Sequence, residues 1–108
     1  MSSRIDEIKE IVALAPGDPF PLYGLAMEYR NSGDFAEAAA TFARLAERFP
    51  DYVPQYLMHG QLLANDLKNR AEAMRVLNLG LDKARAARNH HAQGEIQSLL
   101  DRISDEDE

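Results

Sequence analysis

The sequence predicts an all-α fold built from antiparallel helical hairpins, and three observations lead to that class. Alanine, leucine, glutamate and arginine dominate the 108 residues, whereas runs of strand-forming valine, isoleucine and threonine are missing. Apolar residues recur at helical spacing rather than in alternation. Proline and glycine interrupt the chain often, and short turns make successive helices antiparallel. We therefore expect about six helices.

Capping residues and helix breakers place the first two helices. Ser3 caps a helix predicted over about residues 4–14, and Pro16 ends it. Asp18 and the proline after it begin a second helix over about residues 19–31, because aspartate caps a helix and proline is tolerated in its first turn.

The third and fourth helices follow the same logic. Gly33 makes the turn, Asp34 caps the third helix with Glu37 as its reciprocal partner, and Pro50 ends it. The fourth helix is predicted over about residues 53–65.

The last two helices complete the chain. The fifth starts after Asn69 and runs to about Arg88. The sixth is predicted over about residues 90–103, with a single apolar stripe. That stripe consists of Ala92, Ile96, Leu99, Leu100 and Ile103. Residues 105–108 are expected to form a frayed acidic tail.

Composition excludes several functional classes. The net charge of −6 argues against nucleic-acid binding, which needs a basic surface. The chain has no cysteine, which excludes disulfides and fits a cytoplasmic protein. No apolar run is long enough to span a membrane, so we expect no membrane partner.

Motifs for catalysis and metal binding are missing. There is no glycine-rich phosphate loop, nucleophile elbow or Ser/His/Asp arrangement. His90 and His91 are adjacent, so on a helix they point about 100° apart, and His59 falls on a predicted core stripe. We therefore expect no enzymatic activity, no cofactor and no metal site.

The chain repeats itself with a period of 34 residues. Pro16 and Pro50 are separated by that interval. The same interval separates Leu22 from Tyr56, Tyr23 from Leu57, and Ala26 from Gly60. After one inserted residue, the segment at 34–38 (DFAEA) matches that at 69–73 (NRAEA). The small residues of this pattern let two helices approach closely.

This pattern resembles the tetratricopeptide repeat family, in a small protein of bacterial type. The first repeat carries the family residues Leu22, Leu25, Ala26, Tyr29, Ala38, Phe42 and Pro50. The second repeat departs from the pattern at His59, in a turn one residue longer, and in lacking the terminal proline. We therefore expect the fifth helix to be the longest.

The resemblance implies a short right-handed solenoid of stacked hairpins. Its expected segments are a capping helix as a half repeat (1–17), two full repeats (18–52 and 53–88), a C-terminal capping helix (89–104) and the acidic tail (105–108).

In this family, the first helix of each hairpin lines a groove that holds a peptide or protein segment. The corresponding positions here are Phe20, Tyr23, Met27, Arg30, Asn31, Leu57, Gln61 and Asn65. Apolar spacing supports this independently, because Phe20, Tyr23 and Met27 form a second apolar stripe beside the core stripe. The alternative is that Phe20 and Tyr23 pack against neighbouring helices. Tyr23, Met27 and Met58 occupy the positions of a carboxylate clamp, so binding of chaperone tails is not expected.

The sequence thus predicts a non-enzymatic adaptor or scaffold that binds a protein segment in its groove. An alternative is self-association, with the same apolar face as a homodimer interface. A third interpretation is recognition of an acidic surface by the fifth helix, because residues 68–88 carry six basic and two acidic side chains.

Overall fold

The computed structural model describes residues 3–106 and confirms the all-α prediction. These residues form six α-helices and one π-helical turn, with no strand among them. The helices are α1 (Arg4–Leu14), α2 (Pro19–Asn31), α3 (Phe35–Arg48), α4 (Pro54–Gln61), α5 (Arg70–Ala86) and α6 (His90–Asp105), and the π turn is Leu62–Asp66. Residues 1–2 and 107–108, which belong to the predicted leading segment and acidic tail, lie outside the described residues.

The chain divides into two compact units between Phe49 and Pro50. The N-terminal unit contains α1, α2 and α3, and the C-terminal unit contains the remaining elements. Consecutive helices pack as hairpins within each unit. The sixth helix runs to Asp105, which the sequence assigned to the tail.

Most of the predicted caps form. Ser3 caps α1 with a reciprocal bond from its own backbone N–H to Asp6. The Asp18 side chain accepts a hydrogen bond from the Phe20 N–H at 3.0 Å, and Asn69 caps α5 through the Glu72 N–H at 3.2 Å.

The predicted capping box at Asp34 is wrong. Its side chain makes no cap hydrogen bond. Its backbone, with ψ 67°, lies further from the extended conformation than the backbones of Ser3, Asp18, Asn69 and Asn89, which all cap their helices. The Asp34 N–H instead closes the preceding turn on the Tyr29 carbonyl at 2.9 Å.

The predicted longer turn in the second hairpin is also wrong. The α2–α3 turn at 32–34 and the turn at 67–69 have equal length. Each carries a left-handed residue just before the cap, Gly33 with φ 81° and Lys68 with φ 54°. The inserted residue is absorbed inside the helix as the π turn, where the Leu67 N–H bonds to the Leu62 carbonyl. The fifth helix, with 17 residues, is the longest described, as predicted.

In the N-terminal unit, α2 and α3 supply the core. Their buried side chains are Leu22, Leu25, Ala26, Tyr29, Ala38, Thr41, Phe42 and Leu45. The first helix buries none of its residues. Ile8 and Val12 are half-buried, while Ile11 and Leu14 are 51% and 85% exposed.

In the C-terminal unit, a continuous core joins α4, the π turn, α5 and α6. It contains Val53, Tyr56, Leu63, Ala73, Val76, Leu77, Leu81, Ala84, Ile96, Leu99, Leu100 and Ile103. The Tyr56 hydroxyl donates a hydrogen bond to the Pro50 carbonyl, and this bond ties the start of the unit to α4.

Candidate protein-binding surfaces

Five predicted groove residues lie on one face of α2, which we term the α2 front surface: Phe20, Tyr23, Met27, Arg30 and Asn31. Phe20 is 65% exposed. Tyr23, Met27 and Arg30 are half-buried, and Asn31 is exposed. Because these positions recur at three- and four-residue spacing, they share a face of the helix. This surface is therefore apolar in its first two turns and polar at its end.

Three aromatic rings support the apolar part of the α2 front surface. The Phe20 and Tyr23 ring centroids are 6.5 Å apart and tilted by 38°. Tyr23 in turn meets the fully buried Phe42 edge-on, at 6.3 Å and 65°. Burial raises the pKa of the Tyr23 hydroxyl. Tyr23 therefore packs against a neighbouring helix, as the alternative interpretation expected, whereas Phe20 stays largely exposed on top of it.

The other three predicted groove residues lie in the C-terminal unit. Leu57 and Gln61 are half-buried, and Asn65 in the π turn is exposed. Leu57 also packs against the core of the unit. The chain places Leu57 and Gln61 at the edge of a cavity of about 290 Å³ between α4 and α6, which we term the α4–α6 cavity.

Sequence reasoning missed the α6 side of that cavity. Its lining from α6 consists of Glu95, Ser98, Leu99 and Arg102. Their spacing of three, four and seven residues marks one helix face and was available in the sequence. The sequence predicts α6 only as a capping helix, whereas this helix presents polar and charged groups beside Leu57.

A second cavity in the N-terminal unit, of about 470 Å³, was not predicted. We term it the α1–α3 cleft, and its lining residues are Lys9, Val12, Ala13, Pro16, Leu25, Tyr29, Glu37, Thr41, Arg44 and Arg48. Leu25 and Tyr29 form its α2 side. At 100° per residue they lie about half a helical turn away from the α2 front surface. The sequence already contained one sign of this cleft: Glu37, Thr41, Arg44 and Arg48 recur at helical spacing and so share one face of α3.

Three of the four charged side chains that line the α1–α3 cleft are cationic. The Lys9 Nζ lies 5.9 Å from the centroid of the Tyr29 ring. A hydrogen bond with the Tyr29 side chain is the main cause that raises the pKa of Lys9. Arg48 donates a hydrogen bond to the Pro16 carbonyl at 2.8 Å. The Pro16 carbonyl carries no charge, so this bond orients Arg48 without cancelling its charge. The carboxylates of Asp6 and Glu37 also raise the pKa of Lys9.

The basic residues of α5 are largely engaged with carboxylates. Arg75 donates to Glu72 at 3.0 Å. Lys83 lies 3.2 Å from Asp51, and Arg85 lies 3.6 Å from Asp82. Asp51 is one acidic partner that the count over 68–88 left out. Glu72 and Asp82 already enter that count, so the ion pair with Asp51 lowers the positive excess only from four to three.

His59 lies on the core side of α4 and is 8% exposed. Burial lowers its pKa from 6.5 to about 4, the Glu72 carboxylate opposes this shift, and Arg75 adds to it. The ring is therefore neutral at physiological pH. Among residues 3–106, no three or more histidine, aspartate or glutamate side chains are grouped as a metal ion would require. No helix in this part of the chain is long and apolar enough to cross a membrane.

Comparison with known proteins identifies a family model and solved structures that resemble this chain. A family model described as "Tetratricopeptide repeat" matches residues 22–52. The solution NMR structure of a tetratricopeptide repeat domain protein from Salinibacter ruber is 31% identical, with a TM-score of 0.76, over 82% of this chain and 88% of that one. A crystal structure of such a protein from the same organism is 30% identical, with a TM-score of 0.75, over 81% of this chain and 97% of that one.

A third structure is similar in fold alone. This protein from Bordetella parapertussis is 20% identical, with a TM-score of 0.82, and the match covers 99% of this chain and 92% of the other. A search of curated proteins gave no match.

Proposed function

Since this chain belongs to the tetratricopeptide repeat family, we propose that it is a non-enzymatic adaptor that binds a segment of another protein. The α2 front surface supplies the main anchor site. Leu57, Gln61 and Asn65 supply a second contact surface in the C-terminal unit. Members of this family generally act as protein-interaction modules, and the residues named here give that role a physical basis.

The observation that carries this proposal is the exposed Phe20 ring, 65% accessible and resting on Tyr23. An exposed aromatic ring held by a second ring offers a partner a large apolar area with little side-chain entropy left to lose. Tyr23 is itself fixed by the buried Phe42. Arg30 and Asn31 at the end of the same face supply polar groups that orient the partner.

Affinity capture from a lysate of the source organism tests the proposal, with Phe20→Glu as the disruptive variant. Leu14→Glu is the matched control, because Leu14 is an even more exposed apolar residue of the same unit. We expect a captured protein to be lost with Phe20→Glu and kept with Leu14→Glu. Circular dichroism establishes that both variants are folded.

The C-terminal contact surface has its own matched pair. Leu57→Ser should weaken capture, whereas Leu79→Ser, at a partly exposed leucine of α5, should not. A partner retained by both Phe20→Glu and Leu57→Ser would show that binding uses neither surface.

Self-association through the same face is the second candidate, and the exposure of Phe20 favours it as well. Sedimentation over a range of concentrations distinguishes the two functions. A homodimer that dissociates in Phe20→Glu would support assembly as the role, and a monomer at all concentrations would exclude it.

A further inference from the structure

We propose that the α1–α3 cleft is a second docking site, which takes an acidic peptide segment with an apolar side chain at its centre. The cleft has two parts that match such a ligand. Its floor is apolar, with Leu25 and Tyr29 from α2 and Val12 from α1. Its rim is cationic, with Lys9, Arg44 and Arg48 on α1 and α3.

The charge of the cleft is opposite to that of the chain. Three cationic residues line it against one carboxylate, that of Glu37, whereas the whole chain has a net charge of −6. Arg48 is held by the neutral Pro16 carbonyl, so its charge remains for a ligand. Lys9 lies against the Tyr29 ring, and the carboxylates of Asp6 and Glu37 offset part of its charge. On α5, by contrast, Arg75, Lys83 and Arg85 pair with carboxylates. The lining of the cleft therefore keeps an excess of two positive charges on a chain that is negative overall, which favours an acidic segment.

The two sides of the cleft are formed by residues of α1 and α3. Glu37, Thr41, Arg44 and Arg48 recur every three or four residues, so they form a single stripe along α3. On α1, Lys9, Val12 and Ala13 likewise share one face, and Pro16 follows the end of the helix. The two stripes border the α2 floor, and a volume of about 470 Å³ between them accommodates a few side chains of a segment.

The cleft lies on the face of α2 opposite to the α2 front surface. Leu25 and Tyr29 point about 180° away from Phe20 and Met27 by helical geometry. A ligand in the cleft therefore leaves the front surface accessible. This would let the chain hold two protein segments at once, so the inference goes beyond the adaptor function proposed above.

Fluorescence anisotropy with a labelled short peptide, two leucines flanked by aspartate and glutamate, tests the site. We expect saturable binding that weakens as salt is raised. Arg44→Glu should reduce the affinity about tenfold, and Arg44→Lys should leave it within about threefold. A peptide with serine in place of the leucines should bind about tenfold more weakly, because it leaves the apolar floor uncovered.

Three controls make the proposal falsifiable. Arg85→Glu makes the same charge change on α5, and Phe20→Glu changes the opposite face of α2; neither should alter binding of the peptide. A single-stranded oligonucleotide of equal charge should bind more weakly than the peptide. Absence of saturable binding, equal loss in Arg85→Glu or Phe20→Glu, or equal affinity for the oligonucleotide would each overturn the proposal, provided circular dichroism shows the variants folded.

Discussion

Gly80 of α5 lies directly against Tyr56 of α4, so closely that a Cβ at Gly80 would stand 2.9 Å from the Tyr56 Cγ. The same two helices make a reciprocal contact, in which Gly60 of α4 meets the Leu77 side chain. Each helix thus presents a glycine where the other presents a large residue. Both large residues are at most 1% exposed, so neither has room to move aside. This interlocking sets the close approach of α4 and α5.

Gly80→Ala should therefore destabilise the protein by about 1–2 kcal/mol, because overpacking outweighs the higher helix propensity of alanine. Gly94→Ala is the matched control on α6, since nothing lies within 4 Å of a Cβ built there. That variant should gain about 0.5–1 kcal/mol from propensity alone. Urea denaturation measures both, and equal effects in the two variants would contradict the interlocking.

His59 should make stability depend on pH. Its pKa is lowered from 6.5 to about 4 by burial in the folded state, so the ring is neutral in both states at high pH. As the pH falls from about 6.5 to 4, the unfolded chain binds a proton that the folded chain does not, and stability falls by up to about 1.4 kcal/mol per pH unit.

The variant His59→Leu should lose this part of the slope in denaturation measured from pH 7 to pH 4. His91→Gln should keep it, because the His91 side chain is 86% exposed. A slope that stays the same in His59→Leu would show that carboxylates alone produce it.

The helix caps offer a second matched pair. Asn69 accepts a hydrogen bond from the Glu72 N–H, whereas Asp34, at the equivalent position of the first hairpin, makes no cap bond. Asn69→Ala should cost about 1 kcal/mol and Asp34→Ala clearly less. Thermal denaturation checks the order, and a larger loss in Asp34→Ala would show that Asp34 caps its helix in solution.

Phe20 and Phe42 of the N-terminal unit should differ in how much they contribute to stability. Phe20→Ser should change the free energy of unfolding by no more than about 0.5 kcal/mol, because the ring is mostly exposed. Phe42→Ala should cost about 3–5 kcal/mol, because that ring is fully buried. Urea denaturation compares them, and a large loss in Phe20→Ser would mean that Phe20 is structural rather than a contact for partners.

Local signals carried most of the fold prediction. Proline, aspartate and glycine mark where α1, α2 and α3 begin or end, because each acts within one helical turn. The small residues Ala26 and Ala38 are also fully buried, as the repeat pattern predicted. Such features depend on near neighbours, so the printed sequence contains them.

Features set by packing between helices were not predictable in the same way. From the sequence, the inserted residue could lie either in the turn or in the helix. In the structure it lies in the π turn, whose Leu62 and Leu63 side chains are buried in the core. Gly80 carries no local signal, since its role depends on Tyr56 across the helix pair. The α1–α3 cleft needs three helices to be placed together before Arg44 and Lys9 can be seen to share it.

The most direct test of the adaptor function is NMR mapping of the binding surface. Backbone amide shifts of the labelled protein are recorded during titration with the segment recovered by affinity capture. We expect the largest changes at Phe20, Tyr23 and Met27, with further changes at Leu57 and Gln61. Changes confined to α5, or to α1 and α3 around Arg44, would contradict the assignment of the α2 front surface as the main anchor site.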